Sequence, residues 1–201
     1  MSKSCSIALK EWAVVQHALL EGKQIFLLRK GGLIEETGQF ELRSNQFLTQ
    51  PTYIHETERG GDIQPQYLDW LREEEARKTP NGQIRFEAYC DVAETIEVKH
   101  PDALIQLSSE HIWSESFINM RLDWEPYKPL FVVIVRAYKL PEPITIDAHP
   151  DYFGCKSWID LHEAVSVEGV VPAIQDENHF IERVESIKRL LRSTGVLVHE
   201  E

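Results

Sequence analysis

The apolar positions at the start of the chain fall on a helical period. Leu9, Trp12, Ala13, Gln16 and Leu19 recur at i, i+3, i+4, i+7 and i+10, and Gly22 follows as a breaker, so Ser4 to Glu21 is expected to form an amphipathic helix. The pattern then changes. Lys23 to Lys30 compresses Ile25, Phe26, Leu27 and Leu28 into a short apolar run closed by Gly31 and Gly32, as a buried strand entering a turn does. Phe40, Leu42, Phe47 and Leu48 suggest a second strand ending at Pro51, and Thr52 to Pro65 has no period and reads as a long loop.

Gln66 to Lys78 places Tyr67, Trp70 and Leu71 on one face and stops at Pro80-Asn81-Gly82, the pattern of a short helix. The loop and this helix, about 52–82, read as an insertion between strands. Ile84 to Lys99 alternates Ile84, Phe86, Ala88, Cys90 and Val92 with polar neighbours, which is period two over a strand or bent hairpin. Pro101 suits the first turn of a helix over Asp102 to Leu107, and His111 to Trp124 is aromatic-rich and partly helical.

The strongest central-strand signal is Leu130 to Tyr138, whose Phe131, Val132, Val133, Ile134 and Val135 are uninterrupted. Pro141 and Pro143 punctuate it, and Tyr152 to Leu161 reads as a short strand or strand entry. Asp176 caps a last helix, about 176–193, with Phe180, Ile181, Val184, Ile187, Leu190 and Leu191 facing inward and Gly195 beyond it. The expected fold is α+β: one compact domain over 1–201, a mixed central sheet flanked by N-terminal and C-terminal amphipathic helices.

Composition agrees with a folded chain, since 42% of residues are hydrophobic and five are Trp. A net charge of −12, from 33 acidic and 21 basic residues, repels nucleic acid and anionic lipid on average. A nucleic-acid partner therefore requires a local basic patch. No apolar run approaches the roughly 20 residues that span a bilayer, and the N-terminus shows no secretory pattern, so a cytoplasmic protein without membrane association is expected. Cys5, Cys90 and Cys155 form no CxxC pair and read as reduced thiols. Oligomeric state is open.

Several separated segments carry a family resemblance: Lys10-Glu11-Trp12-Ala13, Leu27-Leu28-Arg29-Lys30-Gly31-Gly32, Phe47 through Glu56, and Tyr152-Phe153-Gly154-Cys155-Lys156-Ser157-Trp158. Together they resemble the bacterial and cyanobacterial family known as domain of unknown function 1802. The resemblance implies a bacterial, cytoplasmic source and a shared fold, and it brings no catalytic residues.

Function must then be argued from chemistry. Glu97-Val98-Lys99 ends a predicted strand, where side chains at i and i+2 share a face and set a carboxylate beside an ammonium. This is the ExK half of a site similar to those of PD-(D/E)XK phosphodiesterases, in which acidic groups hold Mg²⁺ and the Lys orients water. Glu41 is the best-placed second Mg²⁺ ligand beside Glu97, Lys99 would position water, and Glu11 or Glu21 could contribute from the first helix. No Pro-Asp stands where that pattern places one, because Pro101-Asp102 follows the ExK.

Arg29-Lys30-Gly31-Gly32 offers two cations and glycines to a phosphate, though without Walker or dinucleotide spacing. His55, beside Glu56 and Glu58, is a candidate acid-base or ligand residue, whereas His162-Glu163 lacks the HExxH spacing and the remaining histidines show no zinc pattern. Ser157 is not in GxSxG. Arg121 and Arg136 lie among Trp113, Phe117, Trp124 and Tyr127, a mixture that suits single-stranded nucleic acid.

Three readings follow. The first is a metal-dependent phosphodiesterase acting on nucleic acid. The second is a noncatalytic nucleic-acid or ligand-binding module of PUA-like barrel form, using Arg29, Lys30, Arg121 and Arg136 around aromatic walls, which requires a basic groove without converging carboxylates. The third is a regulatory protein-interaction domain, whose signature is an exposed apolar patch.

Overall fold

The computed structural model describes residues 3–30, 40–53, 60–98 and 102–193. Its strands are β1 (Ser4–Trp12), β2 (Phe26–Lys30), β3 (Gln46–Thr52), β4 (Gln83–Glu97), β5 (Leu130–Asp147), β6 (Trp158–Ser166) and β7 (Val171–Pro172). Its helices are α1 (Ala13–Leu20), α2 (Leu68–Ala76), α3 (Asp102–Gln106), α4 (Glu115–Asp123) and α5 (Glu177–Ser193). All the strands join one mixed sheet in the order β2-β5-β4-β3-β1-β6, with β7 also on β5. β1 and β3 run parallel and every other pair is antiparallel. The α+β expectation with a mixed sheet holds.

The expected helix over Ser4 to Glu21 is instead a strand followed by a short helix. Cys5, Ala8 and Leu9 of β1 pair between β3 and β6, and tertiary pairing overrides the helical period. Helix begins only after Trp12, whose backbone is extended. α1 is not amphipathic either, for Ala13, Val14, Val15, Gln16, Ala18 and Leu19 are all buried. The one polar group among them is satisfied: Gln16 Oε1 accepts the Thr49 hydroxyl at 2.6 Å.

A second difference concerns Pro141 and Pro143, which do not end their strand. β5 continues to Asp147, but its register against β4 jumps from Ala88↔Lys139 to Phe86↔Ile144. The prolines lie in that irregularity, where their missing N–H groups leave no ladder bond unmade. The strand expected over Tyr152 to Leu161 starts at Trp158 and runs to Ser166, with a 3₁₀ turn at Pro150–Tyr152 before it.

Both faces of the sheet are buried, and neighbouring residues of one strand feed different cores. Leu9, Phe47 and Cys90 join a large core with Val14 of α1, Leu104 of α3, Phe117 of α4 and Ile187 of α5. Their neighbours Ala8, Leu48 and Tyr89 join a second core with Phe86, Tyr152, Ile159 and Leu161, to which none of α1 to α5 contributes among the described residues. Turn and loop residues such as Tyr152 and Val167 help to cover that face, and the sheet itself curls. Arg29 records the curl: it sits on β2, yet its guanidinium reaches the Lys10 carbonyl on β1 at 2.5 Å, with β5, β4 and β3 between the two strands in the sheet. The molecule is one curled mixed sheet whose large core takes in residues from all five helices.

α5 packs its apolar side into the large core. Asp176 Oδ1 accepts from the amides of Asn178 and His179, Phe180, Val184, Ile187 and Leu191 are buried, and Ile181 is exposed rather than inward-facing. Arg183 ties the helix down by donating to the Gly22 and Lys23 carbonyls and to Glu110 Oε2. No helix of the described residues is long and apolar enough to cross a membrane.

Candidate functional site

The curled sheet leaves a cleft of about 800 Å³ where the C-terminal ends of the parallel strands β1 and β3 meet the beginning of β4. Helix α4 forms one wall, and the segment from Tyr152 to Ser157 forms another. That segment turns at Gly154, whose φ of 89° suits a residue without Cβ. The four segments that carry the family resemblance all contribute to this lining.

Charge is unevenly distributed between this cleft and the rest of the chain. Lys10, Arg29, Lys78, Arg85, Arg121 and Lys156 line the cleft, and Glu11 is the single carboxylate among its described residues. Glu11 is held away from any ligand role: its Oε1 accepts the Trp12 amide at 2.8 Å and its Oε2 pairs with Arg29 at 3.0 Å. Lys10 Nζ donates to the Gly154 carbonyl at 2.7 Å. Burial, and then the neighbouring Lys156 ammonium, hold the Lys10 ammonium below the usual lysine range. Two cations crowded in this way are stabilised by an incoming anion.

The walls are aromatic. Trp12, Tyr53, Trp113, Phe117, Trp124, Tyr152 and Phe153 all line the cleft. Arg121 lies 5.3 Å over the Trp124 ring and Lys78 5.4 Å over the Tyr53 ring, so cations and π faces are interleaved. Met120, Trp124 and Phe153 are exposed large apolar side chains, and all three belong to this lining. Gln50 completes the floor. It is 6% exposed, and its Oε1 meets no donor among the described residues, an arrangement costly enough to suggest a ligand group as its partner.

The sequence-derived candidates separate. Arg29 and Arg121 line the cleft together. Lys30 does not: it is buried, and its ammonium donates to the Arg121 and Leu122 carbonyls at 2.9 and 3.0 Å, fastening the end of α4. Arg136 is elsewhere, paired with Glu177 and stacked 5.1 Å from the Phe180 ring, so it anchors the start of α5. The basic groove expected around Arg29, Lys30, Arg121 and Arg136 thus keeps two of those residues and gains Lys10, Lys78, Arg85 and Lys156. Glu41 and Glu97 are exposed, line no part of the cleft and join no set of three ligand side chains among the described residues. Lys99, His55, Gly31 and Gly32 lie outside the described residues.

One constellation has no signature in the sequence. His149 Nδ1 and His162 Nε2 stand 3.2 and 3.3 Å from the same Asp151 Oδ2, and the two imidazoles are 4.0 Å apart. His149 and Asp151 come from the 3₁₀ turn and His162 from β6, so no short motif joins them.

A model of the family described as domain of unknown function (DUF1802) matches residues 8–186. No curated protein matches the chain. Among solved structures, a mutant of the ZmASCH protein from Zymomonas mobilis is similar at 9% identity, with a TM-score of 0.46, over 93% of this chain and 99% of that one.

Proposed function

This chain belongs to the family of domain of unknown function DUF1802, and we propose that it binds single-stranded nucleic acid in the cleft, without cleaving it. The observation that carries the reading is the concentration of six cations, against one already paired carboxylate, among the described residues of a single aromatic-walled cleft in a chain whose net charge is −12. Phosphate attraction supplies most of the affinity for nucleic acid, and base stacking on exposed aromatic rings adds about 1–3 kcal/mol per base without reading sequence. A concave site with Trp124 and Phe153 exposed in it suits unstacked bases better than a duplex, whose bases present only their edges.

The phosphodiesterase reading has no corresponding support. Its carboxylates, Glu41 and Glu97, lie outside the cleft lining, and the cleft itself offers no carboxylate without a partner among the described residues.

The test is fluorescence anisotropy with labelled single-stranded RNA, single-stranded DNA and duplex over a range of salt concentrations. Binding of single strands that weakens with salt is expected. Arg121→Ala with Lys156→Ala should lower the log–log salt slope by roughly 1.4, at about 0.7 per phosphate contact for single strands. Preference for duplex, or a slope unmoved by the double substitution, would remove nucleic acid from this cleft.

A further inference from the structure

The geometry points to a divalent transition-metal site at His149, Asp151 and His162, of the kind that takes Zn²⁺. Ligands bound about 2.0 Å from a tetrahedral Zn²⁺ stand about 3.3 Å apart. The separations of Asp151 Oδ2 from the two ring nitrogens, 3.2 and 3.3 Å, match that edge. All three ligand atoms lie within 4.8 Å of one another. Both rings are about half exposed, so rotation of an imidazole can close the remaining edge.

Asp151 Oδ2 bridges the two rings, and the Asp151 amide stands 3.3 Å from His149 Nδ1, a contact that a metal ion bound at Nδ1 would replace. The backbone is prepared for it. Pro150 separates the two ligands of the turn and fixes its own φ while restricting His149, and the buried Tyr152 packs its ring 5.9 Å from His149 and 5.4 Å from His162. The Tyr152 hydroxyl also accepts the His162 amide at 2.8 Å, which holds β6 against the turn.

Two imidazoles and one carboxylate select a borderline ion over Mg²⁺, which prefers an all-oxygen shell. With three protein ligands at the surface, the ion would keep at least one position open to water. Because Tyr152 also lines the cleft, an ion here would brace the wall formed by Tyr152 to Ser157. The site stands independently of the nucleic-acid reading.

The experiment is equilibrium dialysis of the full chain against Zn²⁺, together with Co²⁺ titration followed by visible absorption. Both are repeated in a Cys155→Ser background so that the exposed thiol does not ligate. One Zn²⁺ per chain is expected, with tetrahedral Co²⁺ bands and no displacement by Mg²⁺. Asp151→Asn and His162→Ala should each weaken binding at least about tenfold while leaving the metal-free thermal midpoint in place. Absence of bound Zn²⁺, or affinity unchanged in either variant, would overturn the site.

Discussion

Arg29 on β2 and Glu11 on β1 pair at 3.0 Å although β5, β4 and β3 lie between their strands in the sheet. The pair therefore closes the mouth of the curled sheet and, in doing so, neutralises the one carboxylate among the described residues of the cleft. Both side chains are mostly buried, at 14% and 10% exposure.

Arg29→Ala should destabilise the fold by about 3–5 kcal/mol, because it leaves Glu11 buried without its cation. Urea denaturation measures this, and a loss below about 1 kcal/mol would mean that the mouth is held closed by other contacts.

Glu11→Gln is expected to tighten single-strand binding even as it lowers stability. It removes the only negative charge of the described lining, while its amide oxygen can still accept the Trp12 amide. Anisotropy at constant salt checks the sign, and weaker binding would show that Arg29 needs Glu11 to present it.

Lys10 sits beside Lys156 with its ammonium held below the usual lysine range by burial first and by Lys156 second. Its folded-state value is thus below its unfolded one, so its charge opposes folding at neutral pH, and folding gains stability as pH rises through the folded value. Bound phosphate acts in the opposite direction and favours the charged form. Lys10→Met should accordingly leave the thermal midpoint unchanged or raised while weakening nucleic-acid binding several-fold, at about 1.4 kcal/mol per tenfold. A lowered midpoint would identify Lys10 as structural, through its bond to Gly154.

Cys155 is exposed in the cleft, whereas Cys5 and Cys90 are buried and burial raises both of their thiol values. Iodoacetamide followed by mass spectrometry should label Cys155 first by a wide margin, and bound single-stranded nucleic acid should protect it. Equal labelling with and without ligand would place the ligand away from the Tyr152 to Ser157 wall.

His111 is 1% exposed, donates from Nε2 to the Leu104 carbonyl at 3.1 Å, and is pushed below the ordinary histidine range mainly by burial. Its contribution to stability is complete above the unfolded value, near 6.5, and is lost as pH falls toward the lower folded value. The thermal midpoint should begin to fall as pH drops below about 6.5, and His111→Gln should flatten that slope. An unchanged slope in the variant would assign the acid sensitivity to other groups.

The sequence by itself determined the elements whose period is enforced by neighbours a few residues away. α2, β4, the apolar start of β5 and α5 with its Asp176 cap are legible because their patterns report local burial directly. It also offered Arg29 and Arg121, which line the cleft, but only together with Lys30 and Arg136, which do not, since basic residues beside apolar or aromatic runs are visible in one dimension while their placement is not. The tertiary structure alone decided that Ser4–Trp12 is a strand, because β3 and β6 satisfy its backbone from far along the chain. It alone assigned Lys30 to the end of α4 and Arg136 to α5, roles set by carbonyls and carboxylates up to 92 residues away. The crowding of Lys10 against Lys156 likewise exists only once β1 pairs with β6, and that of His149 and Asp151 against His162 only once the 3₁₀ turn packs on β6, since side-chain chemistry depends on distance in space and these groups come from separate elements of the chain.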